Sequence, residues 1–577
     1  MSFQTLLRRL KTAIRLIALG ELSSLYARAL FLLRERRQGR TAFTDQPKTY
    51  AVLTPPHTLY LGHAIQAALA KAGLPCDVLT SQDVLSFASE TAPDFYFVIA
   101  PQTFKHLPPG ERRIAFQVEQ GVSDRWFDRR YLDILENSRA TLDYSRFNLA
   151  YLAQRGIAYP HVYYAPAGGL PVYSSGRELT PRGANFRRRV LFYGDASSPR
   201  RKEYLAALGE RFDLQILTNT FGEEVQQAIA AAAVVVNIHF YENALLESTR
   251  VFECLSLGAR VVSELAQDIE DYEGLDAFVD FAPVGDVAAL VAAVERVLAE
   301  LDQPQTEQMR SRPLQVQHFL QQSQERFEFM LCRTLLGVGS LSYAQFYEAV
   351  GPLKTMADHG AYALSLPETV ARRAAFAKVR PSNIKIFDGL RASPSWVGCA
   401  LSYKYLSQSA LAFGRESLLV CEDDVQLPED FLGTLTQIES HLTSRAGGWD
   451  IFAGLIAHLA PDVEVLNVEV VGGLTFVTLN KMTSMVFNIY SRRAMTLIAG
   501  WDETNPDPHK NTIDRYLEAQ PDFRVITTLE SLFGHREDMQ SSLWGVGNSQ
   551  YSALIDKSRE LLQRKVLAYL QNQGDSR

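Results

Sequence analysis

Short apolar runs alternate with longer amphipathic stretches through most of the first three hundred positions. Tyr50 to Leu53, Cys76 to Leu79, Phe95 to Ile99 and Arg113 to Gln117 each read as a strand. Gly62 to Ala72 reads as a helix, and Pro55-Pro56-His57 as a loop. Apolar runs of four or five residues bounded by turn residues suit strands buried on both faces. A second series begins at Arg189. Val190 to Tyr193, Leu214 to Leu217, Val234 to Ile238 and Ala259 to Ser263 read as strands, with helices over 200–210, 223–232, 246–257 and 286–301. Strand–helix alternation of this kind predicts parallel, helix-covered sheets, here in two lobes with a ligand cleft between them. Residues 303–335 are polar and helical, and 336–357 connect onward. Leu418 to Cys421 is another short buried strand, and 552–573 an amphipathic helix.

The segment over 3–37 also has helical spacing, with Leu6, Leu10, Ile14 and Ile17 on one face. Positions 1–40 carry nine basic residues against two acidic ones. Such a helix can lie on an anionic membrane, or pack on its own domain with a solvated basic face. Gly39 to Pro47 reads as a linker.

Bulk properties narrow the class. A chain of 577 residues is too long for a single core. A net charge of −7 argues against nucleic acid as partner. Five cysteines, none in a Cys-x-x-Cys pair, fit reduced thiols in a cytosolic protein and argue against a zinc site. No stretch approaches the ~18 uncharged apolar residues of a membrane span, and no cleavable leader is evident.

The most informative segment is Ser417-Leu-Leu-Val-Cys-Glu-Asp-Asp-Val425. An apolar strand ends in three adjacent carboxylates, Glu422, Asp423 and Asp424, which repel one another. A solvated acidic turn is one reading. The other is a hard cation, since Mg²⁺ and Mn²⁺ take carboxylate oxygens and leave positions for phosphate.

The surroundings extend the second reading. Tyr362-Ala-Leu-Ser-Leu-Pro-Glu-Thr-Val-Ala-Arg372-Arg373 lies upstream, followed by Ile386-Phe-Asp-Gly389 and Val397-Gly-Cys-Ala-Leu-Ser402. Trp449-Asp-Ile-Phe-Ala-Gly454 and Thr512-Ile-Asp514 lie downstream. Over roughly 358–545 this order resembles glycosyltransferase family 25, the lipopolysaccharide-type transferases with a GT-A fold. One departure is Tyr403, where the family usually has His. The resemblance implies a nucleotide-sugar donor, with Mn²⁺ or Mg²⁺ held by Glu422, Asp423 and Asp424. His535 completes the metal shell or contacts phosphate. Asp514 is the candidate base, or else a helix N-cap. Arg372 and Arg373 follow the first strand and are candidates for nucleotide phosphate.

In the two-lobed half, Glu253 followed by Cys254 to Gly258 resembles the ribose-gripping Glu of GT-B transferases (group 1-like). A carboxylate accepts two ribose hydroxyls at once. The family's second Glu, eight positions earlier, is Leu245 here, so Glu242 or Glu247 would substitute. His239 and Arg250 share this donor-binding segment. Gly194 and the trio Arg200, Arg201 and Lys202 sit where a helix start meets a diphosphate, although a solvated basic cluster reads the same way. Glu119 with His63 or His57 are the acid–base candidates, and the strand ends Phe116 to Gln120 and Asp143 to Asn148, with Arg146, resemble the cleft-facing loops of such transferases.

The expected architecture is α/β: two Rossmann-like GT-B lobes (48–175 and 186–302) and a helical crossover and linker (303–357). A separate GT-A domain (358–577) follows, and a basic segment (1–40) precedes. The leading expectation is a bifunctional cytoplasmic glycosyltransferase acting from UDP-sugar donors on a bacterial surface glycan or lipid-linked glycan acceptor. It would contact the inner face of the membrane through 1–40. The alternatives are one active acidic half with the lobes as a docking module, and a non-catalytic nucleotide-sugar scaffold.

Overall fold

The structure is a computed structural model describing residues 28–35, 48–80, 87, 92–171, 173, 189–303, 307–445 and 447–574. It divides into two compact units. One runs from the first strand to position 335, with 348–350. The other gathers 28–35, 336–347 and 351–574.

The first unit holds two parallel sheets. In one, β1 (Tyr50–Leu53), β2 (Cys76–Leu79), β3 (Phe95–Ile99), β4 (Arg113–Gln117), β5 (Ala140–Asp143) and β6 (Val162–Tyr164) lie in the order β2-β1-β3-β4-β5-β6. In the other, β7 (Arg189–Tyr193), β8 (Asp213–Leu217), β9 (Val234–Asn237), β10 (Arg260–Glu264) and β11 (Val279–Ala282) run β11-β10-β9-β7-β8. The apolar runs expected to be strands are strands. β1, β4, β5 and β9 are buried along their whole length, as strands covered on both faces must be. Each order reverses direction once, at β1/β3 and at β7/β9. A crevice opens outside the carboxyl ends of strands at such a reversal.

A 31-residue helix, Glu307–Gly337, follows the second sheet in the chain. Within the first unit its Phe319 ring stacks on Phe252 of the second lobe at 6.1 Å. Its Ser323 hydroxyl accepts from the Gly169 amide of the first lobe at 2.8 Å. The approach needs glycine: a Cβ on Gly169 would lie 2.7 Å from Leu320 Cα.

The second unit is built on a mixed sheet of eight strands. These are β12 (Ala361–Ser365), β13 (Lys385–Asp388), β14 (Ser417–Glu422), β16 (Ile451–Ala453), β17 (Val465–Val471), β18 (Leu474–Leu479), β19 (Phe487–Ser491) and β20 (Val525–Thr528). Their order is β13-β12-β14-β19-β16-β20-β18-β17. The two-residue β15 (Val425–Gln426) pairs with β21 (Gly534–His535). β12, β13 and β14 are parallel, and β14 then pairs antiparallel with β19. This sheet also reverses, at β12/β14, which brings Ser365 and Glu422 to one end.

No described helix is long and apolar enough to cross a membrane. The helix expected over 3–37 is described only over 28–35, where it is helical. Its remaining positions and the expected linker lie outside the described residues.

Candidate functional site

The crevice of the first unit is a cleft of about 870 Å³ between the carboxyl ends of the two sheets. On the first-lobe side β4 ends at Gln117, and Glu119 follows. Gln117 bridges inward, its Nε2 donating to Asp143 at 2.7 Å and to the Glu119 carbonyl at 2.8 Å. Asn148 Nδ2 donates to the same carbonyl at 2.9 Å. The Glu119 carboxylate lines the cleft and accepts from Gln102 at 2.7 Å. Burial raises its pKa to about 7 against the opposing pull of Gln102 and Arg125. Behind it, burial raises Asp143 to about 8 despite hydrogen bonds from Ser145, Asn148 and Gln117.

The second-lobe wall is built from the ends of β7 and β9 and the helix Ser248–Ser256. Glu247 lies between two guanidinium groups, Arg201 at 2.7 Å and Arg250 beside it. Burial opposes ionisation there, yet Arg250 and Arg201 hold its pKa below the ordinary value. Arg250 also donates to Asn237 at 3.0 Å. Gly194 has φ +127°, a backbone that L residues rarely adopt, and a Cβ on it would meet Arg250 Nη2 at 2.8 Å. Glu253 accepts from Tyr193 at 3.2 Å and Tyr173 at 3.4 Å. Lys202 is exposed on the lining.

Two sets of contacts join the lobes. Gln120 reads both backbone atoms of Leu245, accepting from its N–H at 3.0 Å and donating to its carbonyl at 3.2 Å. Arg146 donates to Asp271 at 2.7 Å.

Of the residues expected here, the cleft gathers Glu119, Gly194, Arg201, Lys202, Glu247, Arg250 and Glu253. Other expected residues lie off it: Asp143 and Asn148 are fully buried, and Arg146 is taken up by Asp271. Arg200 is paired with Glu264 and donates to the His239 carbonyl at 3.2 Å. The His239 ring is fully buried. His63 faces Gln66 at 3.4 Å, whereas His57 is on the lining. Glu242 is exposed off the lining, so Glu247 is the carboxylate near Leu245 that reaches the cleft.

In the second unit the acidic triplet sits at the carboxyl end of β14. Asp423 accepts from Ser365 at 2.6 Å and from Arg372. Asp424 accepts from Asn548 at 2.7 Å and pairs with Arg372 at 3.1 Å, which leaves its Oδ1 buried without a partner among the described residues. Burial, and then Asp424, push the Glu422 carboxyl well above its ordinary range. Asp514 acts on the same carboxyl and lies in the first turn of Ile513–Glu518. Thr512 is the N-cap of that turn. Arg373 pairs with Asp388 at 2.7 Å. His535 pairs with Val425 in the small ladder, and its ring faces the Asn548 carbonyl at 3.4 Å. The Tyr403 hydroxyl donates to the Met485 carbonyl at 3.1 Å.

Among the described residues no three Asp, Glu, His or Cys side chains converge as a metal site. Asp423 is committed to Ser365 and Arg372, and His535 stands apart. Glu422 and the unpartnered Oδ1 of Asp424 are what the triplet offers a cation. Mg²⁺ is commonly held by one or two carboxylates, with substrate phosphates and water completing its shell. The residues fit such a cation in that limited form.

No family model matches the chain, and no curated protein does. Solved structures are similar over about half of it. One is Anabaena HepE in complex with UDP: 14% identity, 50% of this chain and 99% of that one, TM-score 0.33. A second is a glycosyltransferase from Rickettsia africae, with 11% identity, 53% and 100% coverage and a TM-score of 0.32. A third is WaaG, a glycosyltransferase involved in lipopolysaccharide biosynthesis, with 11% identity, 49% and 98% coverage and a TM-score of 0.34. TM-scores this low decide neither fold nor activity.

Sequence reasoning missed several partners. Asn548 and Arg536 meet the acidic triplet from more than 110 positions away, the Arg536 N–H donating to the Asp424 carbonyl at 2.7 Å, and the Gln540 carbonyl accepts from Arg372 at 3.1 Å. Arg125, on the cleft between Trp126 (5.0 Å) and Phe240 (5.5 Å), had no local signal either.

Proposed function

We propose that the chain is a glycosyltransferase that takes a nucleotide sugar, with UDP-sugar the expected donor, in the cleft of the first unit. The observation that carries this is the convergence on one cleft wall of Gly194, the Arg201–Glu247–Arg250 cluster and Glu253. Two guanidinium groups around one carboxylate leave a net positive charge, to which Lys202 adds. Such a wall accepts a diphosphate without metal. Glu253, held by two tyrosines, is placed to accept ribose hydroxyls. Glu119 faces this wall with a pKa of about 7, where a carboxyl can take or give the proton of an acceptor hydroxyl. Transfer then forms the bond from the acceptor oxygen to the sugar's anomeric carbon and breaks the bond from that carbon to the diphosphate oxygen, with Glu119 taking the acceptor's proton. Charge builds on that oxygen, and Arg201, Arg250 and Lys202 stabilise it.

We propose a second transfer site at the acidic triplet, which makes the chain bifunctional. Glu422 and Asp424 would hold Mg²⁺ or Mn²⁺, which supplies Lewis acidity to a departing diphosphate. Arg372 keeps the adjacent carboxylates neutralised, and Asp514 is the candidate base. The acceptor is a glycan of the bacterial surface or its lipid-linked precursor, with residues 1–40 as a weak membrane contact.

The test is calorimetry of UDP and UDP-glucose on wild-type protein and Glu253→Ala, with EDTA present. The substitution should weaken binding to the cleft by about 1.5–3 kcal/mol. Unchanged affinity would sink the assignment of Glu253. Binding to wild type that vanishes in EDTA would sink the metal-free cleft.

A further inference from the structure

Residues 28–35 precede the acidic triplet by almost four hundred positions, yet they fold onto the same unit. Glu35 Oε1 accepts from both the backbone N–H and the hydroxyl of Ser395, each at 2.8 Å. Its carbonyl accepts from Ser393 at 3.4 Å. Ser395 opens the helix Ser395–Ala412, whose N-cap is Pro394 and which receives no side-chain cap from it. Glu35 therefore accepts from an N–H of the first turn and places a negative charge at the positive end of the helix. Phe31, four positions earlier and 7% exposed, packs on Gly545, where a Cβ would lie 2.8 Å from its ring.

Both contacts end on elements that reach the carboxylates. The helix Ser395–Ala412 carries Cys399 one turn in, within electrostatic reach of Glu422 and Asp514. The Gly545 carbonyl accepts from Gln540 Nε2 at 3.0 Å. The Gln540 carbonyl receives Arg372, and Asn548 donates to Asp424 at 2.7 Å. Phe31 thus leans on the loop that carries two partners of the acidic cluster.

We infer that residues 28–35 are a positioning element of the acidic site, with Glu35 and Phe31 holding the helix and the loop that set its geometry. The contiguous stretch 358–577 is then not the complete acidic unit. The activity arm of the test rests on the transferase reading, and the structural arm does not.

Full-length wild type, Glu35→Ala, Glu35→Gln and Phe31→Ala are compared. Thiol labelling of Cys399 and hydrogen exchange over 541–548 are read by peptide mass spectrometry, and transfer by the acidic unit by kcat and KM. Losing a cap costs about 1 kcal/mol, so a roughly fivefold rise in Cys399 labelling is expected for Glu35→Ala. Exchange over 541–548 should rise by a similar factor for Phe31→Ala. kcat should fall in both with the donor KM moving less than twofold. Glu35→Gln keeps the accepting oxygen and should recover most of the loss. Labelling and exchange at wild-type rates, or a rise in both with kcat intact, overturns the inference. If wild type shows no transfer by this unit, the transferase reading fails, and labelling and exchange alone decide the positioning role.

Discussion

Glu119 provides the sharpest quantitative test, because its environment changes both stability and rate. An ordinary glutamate has a pKa near 4.5, and in the folded cleft burial raises this one to about 7. A carboxyl raised on folding contributes stability that is fully present below the unfolded pKa and is lost as pH rises through the folded pKa. The window therefore runs from about 4.5 to about 7. The gap of about 2.5, at 1.36 kcal/mol per unit, is roughly 3 kcal/mol as a ceiling. Glu119→Gln keeps an oxygen for Gln102 and removes the charge. The variant should match wild type at pH 4.5 and gain on it progressively, by about 2–3 kcal/mol at pH 8. Urea unfolding at several pH values, followed by exchange of the β4 peptide so that only this unit is read, measures the difference. Asp143 lies behind Gln117 in both proteins, so its own titration largely cancels. If Glu119 is also the acid–base group, the variant should lose the kinetic limb near pH 7 and fall by roughly 10²–10⁴ in kcat. A stability difference that is flat with pH would refute the reasoning about burial. A pH limb that survives in Glu119→Gln would refute the catalytic assignment alone.

Three further expectations follow from particular contacts. Gly194→Ala must strain a backbone at φ +127° and displace Arg250, so UDP affinity by calorimetry should fall about five- to thirtyfold, or about 1–2 kcal/mol; an unaltered Kd would show that the turn does not shape the site. Asp424→Ala removes one acceptor of Asn548 and one partner of Arg372, and transfer by the acidic unit should be lost throughout a Mn²⁺ titration; turnover near wild type would end the cation proposal. Replacing Arg8, Arg9, Lys11 and Arg15 by Gln in the full chain should weaken co-sedimentation with anionic vesicles by roughly 1 kcal/mol per residue at low salt. Equal binding of the two proteins would leave the basic segment without a membrane role. Substitution is preferable to truncation at Lys48, which would also remove Glu35 and Phe31.

Much of the cleft was legible because its residues follow strand ends. Gly194 comes directly after β7, and Glu119 two positions after β4. Once the apolar runs are read as parallel strands, their carboxyl ends name the candidates. Arg200 and Arg201 show where this fails. They are adjacent on one helix and indistinguishable by composition. The roughly 100° between consecutive helix positions sends Arg200 to Glu264 and Arg201 to Glu247.

Strand–helix alternation, the parallel sheets and the strand that ends in three carboxylates can be read from the chain alone, because each depends on the spacing of apolar residues within a few turns of chain. Which charges meet is settled by the folded molecule. Arg372 shields Asp423 and Asp424, Asn548 takes Asp424 from across the unit, Gln120 clasps the backbone of Leu245, and Glu35 caps a helix 360 positions away. Those contacts leave no periodic trace in the chain. A hydrogen bond or ion pair is set by where a side chain ends in space, and local hydrophobic pattern does not constrain that position once the chain has closed a loop of a hundred residues or more.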